Sequence, residues 1–173
     1  MPSINSPTPD ATTGSKGKVQ LAGDLSGTAA APTVGNAKIT PDKLATGAAG
    51  ASVNTNETTS STTYTDLATT TDTVTVTIGA NGLALVFLNC WAGSNTGNAQ
   101  AWMGFAISGA STVAAADTSA TFNQAYTAGG VNGQAAPILV TGLTPGSTTF
   151  KAKYRTTSGI ANFQNRRIAV LPL

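Results

Sequence analysis

The sequence predicts an all-β fold: an antiparallel, jelly-roll-like β-sandwich preceded by an extended low-complexity N-terminal arm. Three observations carry this. From Thr58 onward, about eight short runs rich in Val, Ile, Thr, Tyr and Phe are separated by Gly-, Asn- and Ser-rich connections such as GSNTGN and AGGVNG, the spacing of a sandwich rather than of βαβ units. A helical apolar period is nearly absent. Residues 1–57 lack aromatic side chains and are rich in Pro, Gly and small residues, so they cannot bury enough apolar surface to offset their own ordering entropy. The expected organisation is an attachment and trimerisation arm over 1–57 and a sandwich domain over 58–173.

In chain order, the piece ITPDKLATGAAG has the signals of one helical turn, with Thr40 as N-cap, Pro41 at the first helical position and Gly47 as terminator. In TVTVTIGANGLALVFL, Val74, Val76 and Ile78 alternate with Thr73, Thr75 and Thr77, which predicts a half-buried strand, and Asn81-Gly82 then signals a hairpin turn. The following strand places Leu83, Leu85 and Phe87 on one face and Val86 and Leu88 on the other, so both faces need cover: one from the core, the other from a sheet edge or a neighbouring subunit. Further strands are expected at TYTDLA, AWMGFAIS, ATFNQAYT, APILVTGL, STTFKAKYRT and FQNRRIAVLPL.

Charged residues make up 9% of the chain against a typical ~25%, and solubility rests on hydroxyl and amide groups, which suits an extracellular or virion surface. A formal charge of +2 gives no concentrated basic face of the kind nucleic acid requires. No run approaches the roughly 18–20 apolar residues of a membrane span, and MPSINSPTPD lacks the basic start and apolar centre of a signal peptide. No nucleic-acid partner and no membrane insertion are therefore expected. Work outside a cell would fit release with an assembled particle. The lone cysteine, Cys90, lies in the apolar run LALVFLNCW and reads as a buried small side chain.

With no histidine, Ser-His-Asp triads, Cys-His pairs and the usual zinc sites are excluded together. GxSxG, Walker, CxxC and EF-hand patterns are missing as well, so no catalytic residue, metal ligand or cofactor is expected. A glycosidase would need two of Asp66, Asp72 and Asp117 across one bond, but Asp66 and Asp72 bracket a tight turn, where Asp is ordinary. In FKAKYR, Lys151, Lys153 and Arg155 share the strand face opposite Phe150, Ala152 and Tyr154, and Arg166 and Arg167 lie on the final strand. These five charges read either as a solvated face that blunts a sheet edge or as a stripe that meets an anionic polymer or acidic particle surface. Trp91, Trp102 and Tyr126 are the large aromatics able to stack on a sugar, although each sits beside an apolar strand, where core or interface packing is the commoner use.

The arm segment KGKVQLAGDLSGTAAAPTVGNAKIT resembles a "VQLAGDLGGT…PTV" segment of fibre and minor structural proteins of tailed bacteriophages, through Gly23, Asp24, Leu25, Ser26, Gly27, Thr28, Pro32, Thr33 and Val34. The region from TSSTTYTDLATTTDTVTVTIGANGLALV to NRRIAVLPL is similar to the β-sandwich that ends many such proteins in phages of actinobacteria. The resemblance implies a homotrimer located in the virion, in contact with other structural proteins of the tail, baseplate or capsid. The arm would dock or trimerise through Val19, Leu21, Gly23, Asp24, Leu25, Gly27, Pro32, Val34, Ile39 and Leu44. The segment occurs once, so the fibre is expected to be short. Tail attachment is favoured slightly over capsid decoration. A host cell-surface glycan is the candidate ligand of the outward loops, as an alternative to a purely structural role.

Overall fold

Alternation of Thr and Val, read along the chain, becomes a ladder of antiparallel strands in the computed structural model, which describes residues 25–28, 31–35, 47–125 and 127–173. Strands β1 (Leu25–Thr28) and β2 (Ala31–Val34) form a hairpin of their own, with Leu25 opposite Val34 and Gly27 opposite Pro32. A lone hairpin of this length is marginal in water, and Val34 is exposed on it. The other arm positions singled out above, Val19, Leu21, Gly23, Asp24, Ile39 and Leu44, lie outside the described residues, as does most of the Thr40 turn.

A separate compact unit runs from Thr46 to Leu173. It contains β3 (Ala49–Val53), β4 (Glu57–Thr59), β5 (Thr73–Ile78), β6 (Ala84–Ser94), β7 (Gln100–Gly109), β8 (Ala120–Gln124), β9 (Val131–Val140), β10 (Gly146–Thr156) and β11 (Ala161–Pro172). They form two antiparallel sheets: a four-stranded one in the order β5-β10-β7-β8, and a five-stranded one in the order β3-β11-β6-β9, with β4 also paired to β11. A single 3-10 turn, Asp117–Ser119, is the helical element among the described residues. The chain changes sheet between β4 and β5, β5 and β6, β6 and β7, β8 and β9, β9 and β10, and β10 and β11. This antiparallel interleaving is the jelly-roll arrangement. The inner faces meet in one core built from Val74, Val76 and Ile78 of β5, Val86, Leu88 and Cys90 of β6, Met103, Phe105 and Ile107 of β7, Phe150 and Tyr154 of β10, and Phe163, Ile168 and Val170 of β11.

Four local expectations are revised. The β5–β6 hairpin does not form, because β5 pairs with β10 while β6 pairs with β11 and β9. A two-residue hairpin turn needs positive φ at its first central position, and at both in type I′, whereas of the Asn81-Gly82 pair only the second, Gly82, has it, at 64°. Its N–H bonds Gly79 O at 3.1 Å and its carbonyl accepts from Leu143 N at 3.0 Å, so the turn passes the chain to the opposite sheet. A Cβ on Gly82 would stand 2.5 Å from the Leu143 carbonyl oxygen, which is why glycine is required there.

The TYTDLA segment is not a strand. Its backbone pairs with β10 through one bridge, Thr65 to Tyr154, and the neighbouring Ser61 hydroxyl bonds Thr63 O at 2.6 Å. Such local side-chain bonds compete with ladder formation. The AGGVNG connection is shorter than expected, since Val131, Asn132 and Gly133 already pair with β6. The sandwich also begins ahead of the 57/58 boundary, because AGASV needs only an edge position and finds it beside β11.

Candidate functional site

The two outer faces of the sandwich differ in chemistry, and strand register explains why. On the four-stranded sheet, Lys151, Lys153 and Arg155 of β10 stand outward as expected, opposite Ala106, Gly104 and Trp102 of β7. They are not free cations. Lys151 and Lys153 share Asp66 at 2.9 and 2.7 Å, and Arg155 grips Asp117 through Nε and Nη2 at 2.9 and 2.5 Å. Burial alone would raise the Asp66 carboxyl, but the two lysines outweigh it and hold it below its ordinary value. Asp117 is held low chiefly by its hydrogen bond from Arg155. The Tyr64 hydroxyl donates to Asp117 at 3.0 Å, and burial followed by that carboxylate pushes the phenol well above its ordinary range.

Of these side chains Tyr64, Asp117, Lys153 and Arg155 line a cleft of about 570 Å³ between two segments laid over the sheet, 62–64 on one side and 114–117 on the other. Gly104 makes the cleft possible, since a Cβ there would press on the Tyr64 ring at 3.1 Å and on Ala120 at 3.2 Å. Trp102 lies in register between Arg155, whose guanidinium sits 4.8 Å from its ring centre, and Phe122, stacked at 4.4 Å. Its faces are taken by the protein, so it does not serve as an open sugar platform. Tyr126 lies outside the described residues.

Arg166 and Arg167 do not join this stripe. The β11 register shifts between Gln164 and Arg167, and Asn165 takes a φ of 51°. This bulge turns Arg166 into the interior, where it is 0% exposed, and leaves Arg167 outward on the other sheet. The Arg166 guanidinium meets Glu57 at 2.9 Å, Asp72 at 3.3 Å and the carbonyl of Thr55 at 3.1 Å, with the Tyr154 ring 5.4 Å away. Tyr154 donates its hydroxyl to Asp72, and Thr69 N donates to Glu57 at 3.0 Å. Burial would raise Glu57, but the bonds from Thr69 and Arg166 prevail and hold it low. Glu57 was assigned to the arm in the sequence reading. The available signal was the unpaired acid itself, since a β region with five basic residues and three acids needs another acid if one arginine is to be buried.

On the five-stranded sheet the outward face is apolar over most of its width. Register aligns Leu139 with Leu85 and Leu171, then Pro137 with Phe87 and Ala169, then Ala135 with Asn89 and Arg167. Phe87, Trp91 and Leu139 are 44%, 53% and 57% exposed, far above the usual burial of such side chains. Cys90 faces the other way, fully buried, with Gln134 Nε2 at 3.1 Å from its sulfur. Burial pushes its thiol up to about 11. At pH 8 the native protein is expected to resist Ellman's reagent and to react fully in guanidinium, and prompt reaction of the native form would contradict this placement.

No group of three or more His, Cys, Asp or Glu among the described residues could hold a metal ion, and no described helix is long and apolar enough to cross a membrane. Residues 9–81 match a family model described as a repeat of unknown function (DUF5907), which takes in β1 to β5. A stretch of 36 residues, 21% of the chain, is 67% identical to uncharacterized protein 091L of invertebrate iridescent virus 3, and spans 3% of that protein's length. Among solved structures, Eiger TNF from S. frugiperda superposes with a TM-score of 0.48 at 14% identity, over 73% of this chain and 92% of that one.

Proposed function

We propose that the chain is a non-enzymatic structural protein of a bacteriophage particle, a short homotrimeric fibre or spike whose arm docks on the particle and whose sandwich faces outward. The observation that carries the assembly reading is the contrast between the two sheet faces. One is polar and internally ion-paired, while the other presents Leu85, Phe87, Leu139 and Leu171 with Arg167 as its one charged side chain. An apolar face of that kind is the usual mark of a protein contact. Subunits of a homo-oligomer use such a face repeatedly, and closed symmetry leaves none of it wet.

The arm supports the same reading. Its described part is a two-stranded hairpin with exposed Val34, a structure that gains stability only when covered. Its likeness to virion fibre segments supports a cover supplied by the particle. Kinship with a repeat family and a short, highly identical segment in a protein encoded by a virus both fit a module reused among virus proteins. Attachment to the tail is favoured slightly over the capsid shell on the arm's resemblance, and copy number per particle separates them, since few copies mark a tail and many mark a shell.

The test is the solution mass of the full chain by light scattering, together with its detection in purified particles. A trimer that co-purifies with particles is expected. A monomer at every concentration overturns the homotrimer, and a protein missing from particles overturns the virion assignment.

A further inference from the structure

The geometry points to the cleft on the polar sheet face as a binding site for a single saccharide unit, with an acidic sugar held more tightly than its neutral counterpart. This deepens the reading of the sandwich as the outward module of the protein, and it places ligand contact on the sheet face rather than in the GSNTGN and AGGVNG loops. About 570 Å³ is within the range of small-ligand sites and suits one pyranose ring.

The lining has the two chemistries a sugar needs. A run of three methyls, Ala114, Ala115 and Ala116, together with Ala106 supplies small apolar surface for ring C–H groups. Facing them, Tyr64, Asp117, Lys153 and Arg155 supply donors and acceptors. These polar groups are already locked by one another: Asp117 accepts from Tyr64 at 3.0 Å and from Arg155 at 2.9 Å, while Asp66 holds Lys153 at 2.7 Å. The locking leaves capacity unused. Lys153 has three N–H donors and Arg155 five, and the phenolic oxygen of Tyr64, which also accepts from Arg155, keeps one lone pair. A sugar diol thus meets groups whose side-chain entropy is already spent, which is how preorganised sites gain affinity.

Charge sets the preference. The lysines and the arginine on this face, Lys151, Lys153 and Arg155, oppose two carboxylates, Asp66 and Asp117, so the cluster keeps one net positive charge. A carboxylate on the ligand adds a charge-assisted bond to Arg155 or Lys153 that a neutral sugar lacks.

The test is saturation-transfer NMR and titration of the full chain with glucuronate, galacturonate, glucose and galactose. The uronates are expected to bind several-fold more tightly than the neutral sugars, with the difference falling as salt rises. Ala114→Trp, which fills the cleft while keeping every polar group, is expected to reduce binding at least tenfold with unchanged circular dichroism. Absence of binding by all four sugars, or binding unaffected by Ala114→Trp, overturns the inference. The solution mass of the same sample keeps the two proposals apart: a monomer that binds uronates loses the trimer alone, and a trimer that binds none loses the saccharide site alone.

Discussion

Replacing Arg166 by methionine is expected to destabilise the sandwich by about 3–5 kcal/mol. The magnitude follows from what is left behind rather than from what is removed. Methionine fills much of the volume, yet Glu57 and Asp72 then lose the cation that compensates them. Asp72 keeps only the Tyr154 hydroxyl and Glu57 only Thr69, and a buried carboxylate with a neutral partner costs several kcal/mol. The guanidinium also bonds the carbonyls of Thr55 and Thr69, so its loss removes one of the ties that hold the β4–β5 connection, beside the Thr65 bridge and the Asp66 ion pairs.

Urea melts of Arg166→Met, of Glu57→Gln with Asp72→Asn, and of the triple variant form the check. The triple variant is expected to recover part of the loss, because neutral amides need less compensation. An unchanged midpoint for Arg166→Met would show that the guanidinium is not buried among these groups. Arg166→Lys is expected to fall between the two, since one ammonium cannot reach both carboxylates and the carbonyls in the planar fork that arginine offers.

The bulge that buries Arg166 also shows where sequence reading reaches its limit. Period-2 alternation placed Lys151, Lys153 and Arg155 outward and Phe150, Ala152 and Tyr154 inward without error, because β10 runs unbroken from Gly146 to Thr156. In β11 one extra residue at Asn165 resets the alternation, and nothing in QNRRIAV marks which of two adjacent arginines turns in. The β5–β6 turn failed for a related reason. Local turn chemistry cannot say whether the next strand pairs with the last or crosses to the other sheet, and here Leu143, about sixty residues away in sequence, decides by holding Gly82.

The candidate site was half legible. Its basic residues stood out on one strand, whereas their carboxylate partners and Tyr64 come from connecting segments that no period organises. The apolar outer face was readable because Phe87 and Leu88 are consecutive and large, which no half-buried strand tolerates without a second cover.

That second cover is tested most sharply by charge. If the proposed trimer forms through this face, Leu139→Lys and Phe87→Lys are each expected to convert it to monomers at concentrations where the unaltered chain stays assembled, as read by light scattering. Phe87 sits inside its row, between Pro137 and Ala169, while Leu139 stands at the β9 end of the next row, beside Leu85. Truncating a central apolar anchor typically costs about 2–4 kcal/mol, and a lysine adds the desolvation of an unpaired ammonium. In the proposed trimer the penalty recurs at each of the three interfaces, so even the lower value shifts assembly by orders of magnitude.

In the monomer these same positions face water, and the substitutions are expected to change its melting midpoint only slightly, by less than about 0.5 kcal/mol in stability. This separates loss of assembly from loss of fold. Thr77→Lys, on the outer face of β5 in the opposite sheet, serves as the control and is expected to leave the mass unchanged. If Leu139→Lys and Phe87→Lys remain trimeric, the apolar face is not the subunit contact. If the unaltered chain is a dimer that both lysines dissociate, the face keeps its role and the threefold arrangement fails.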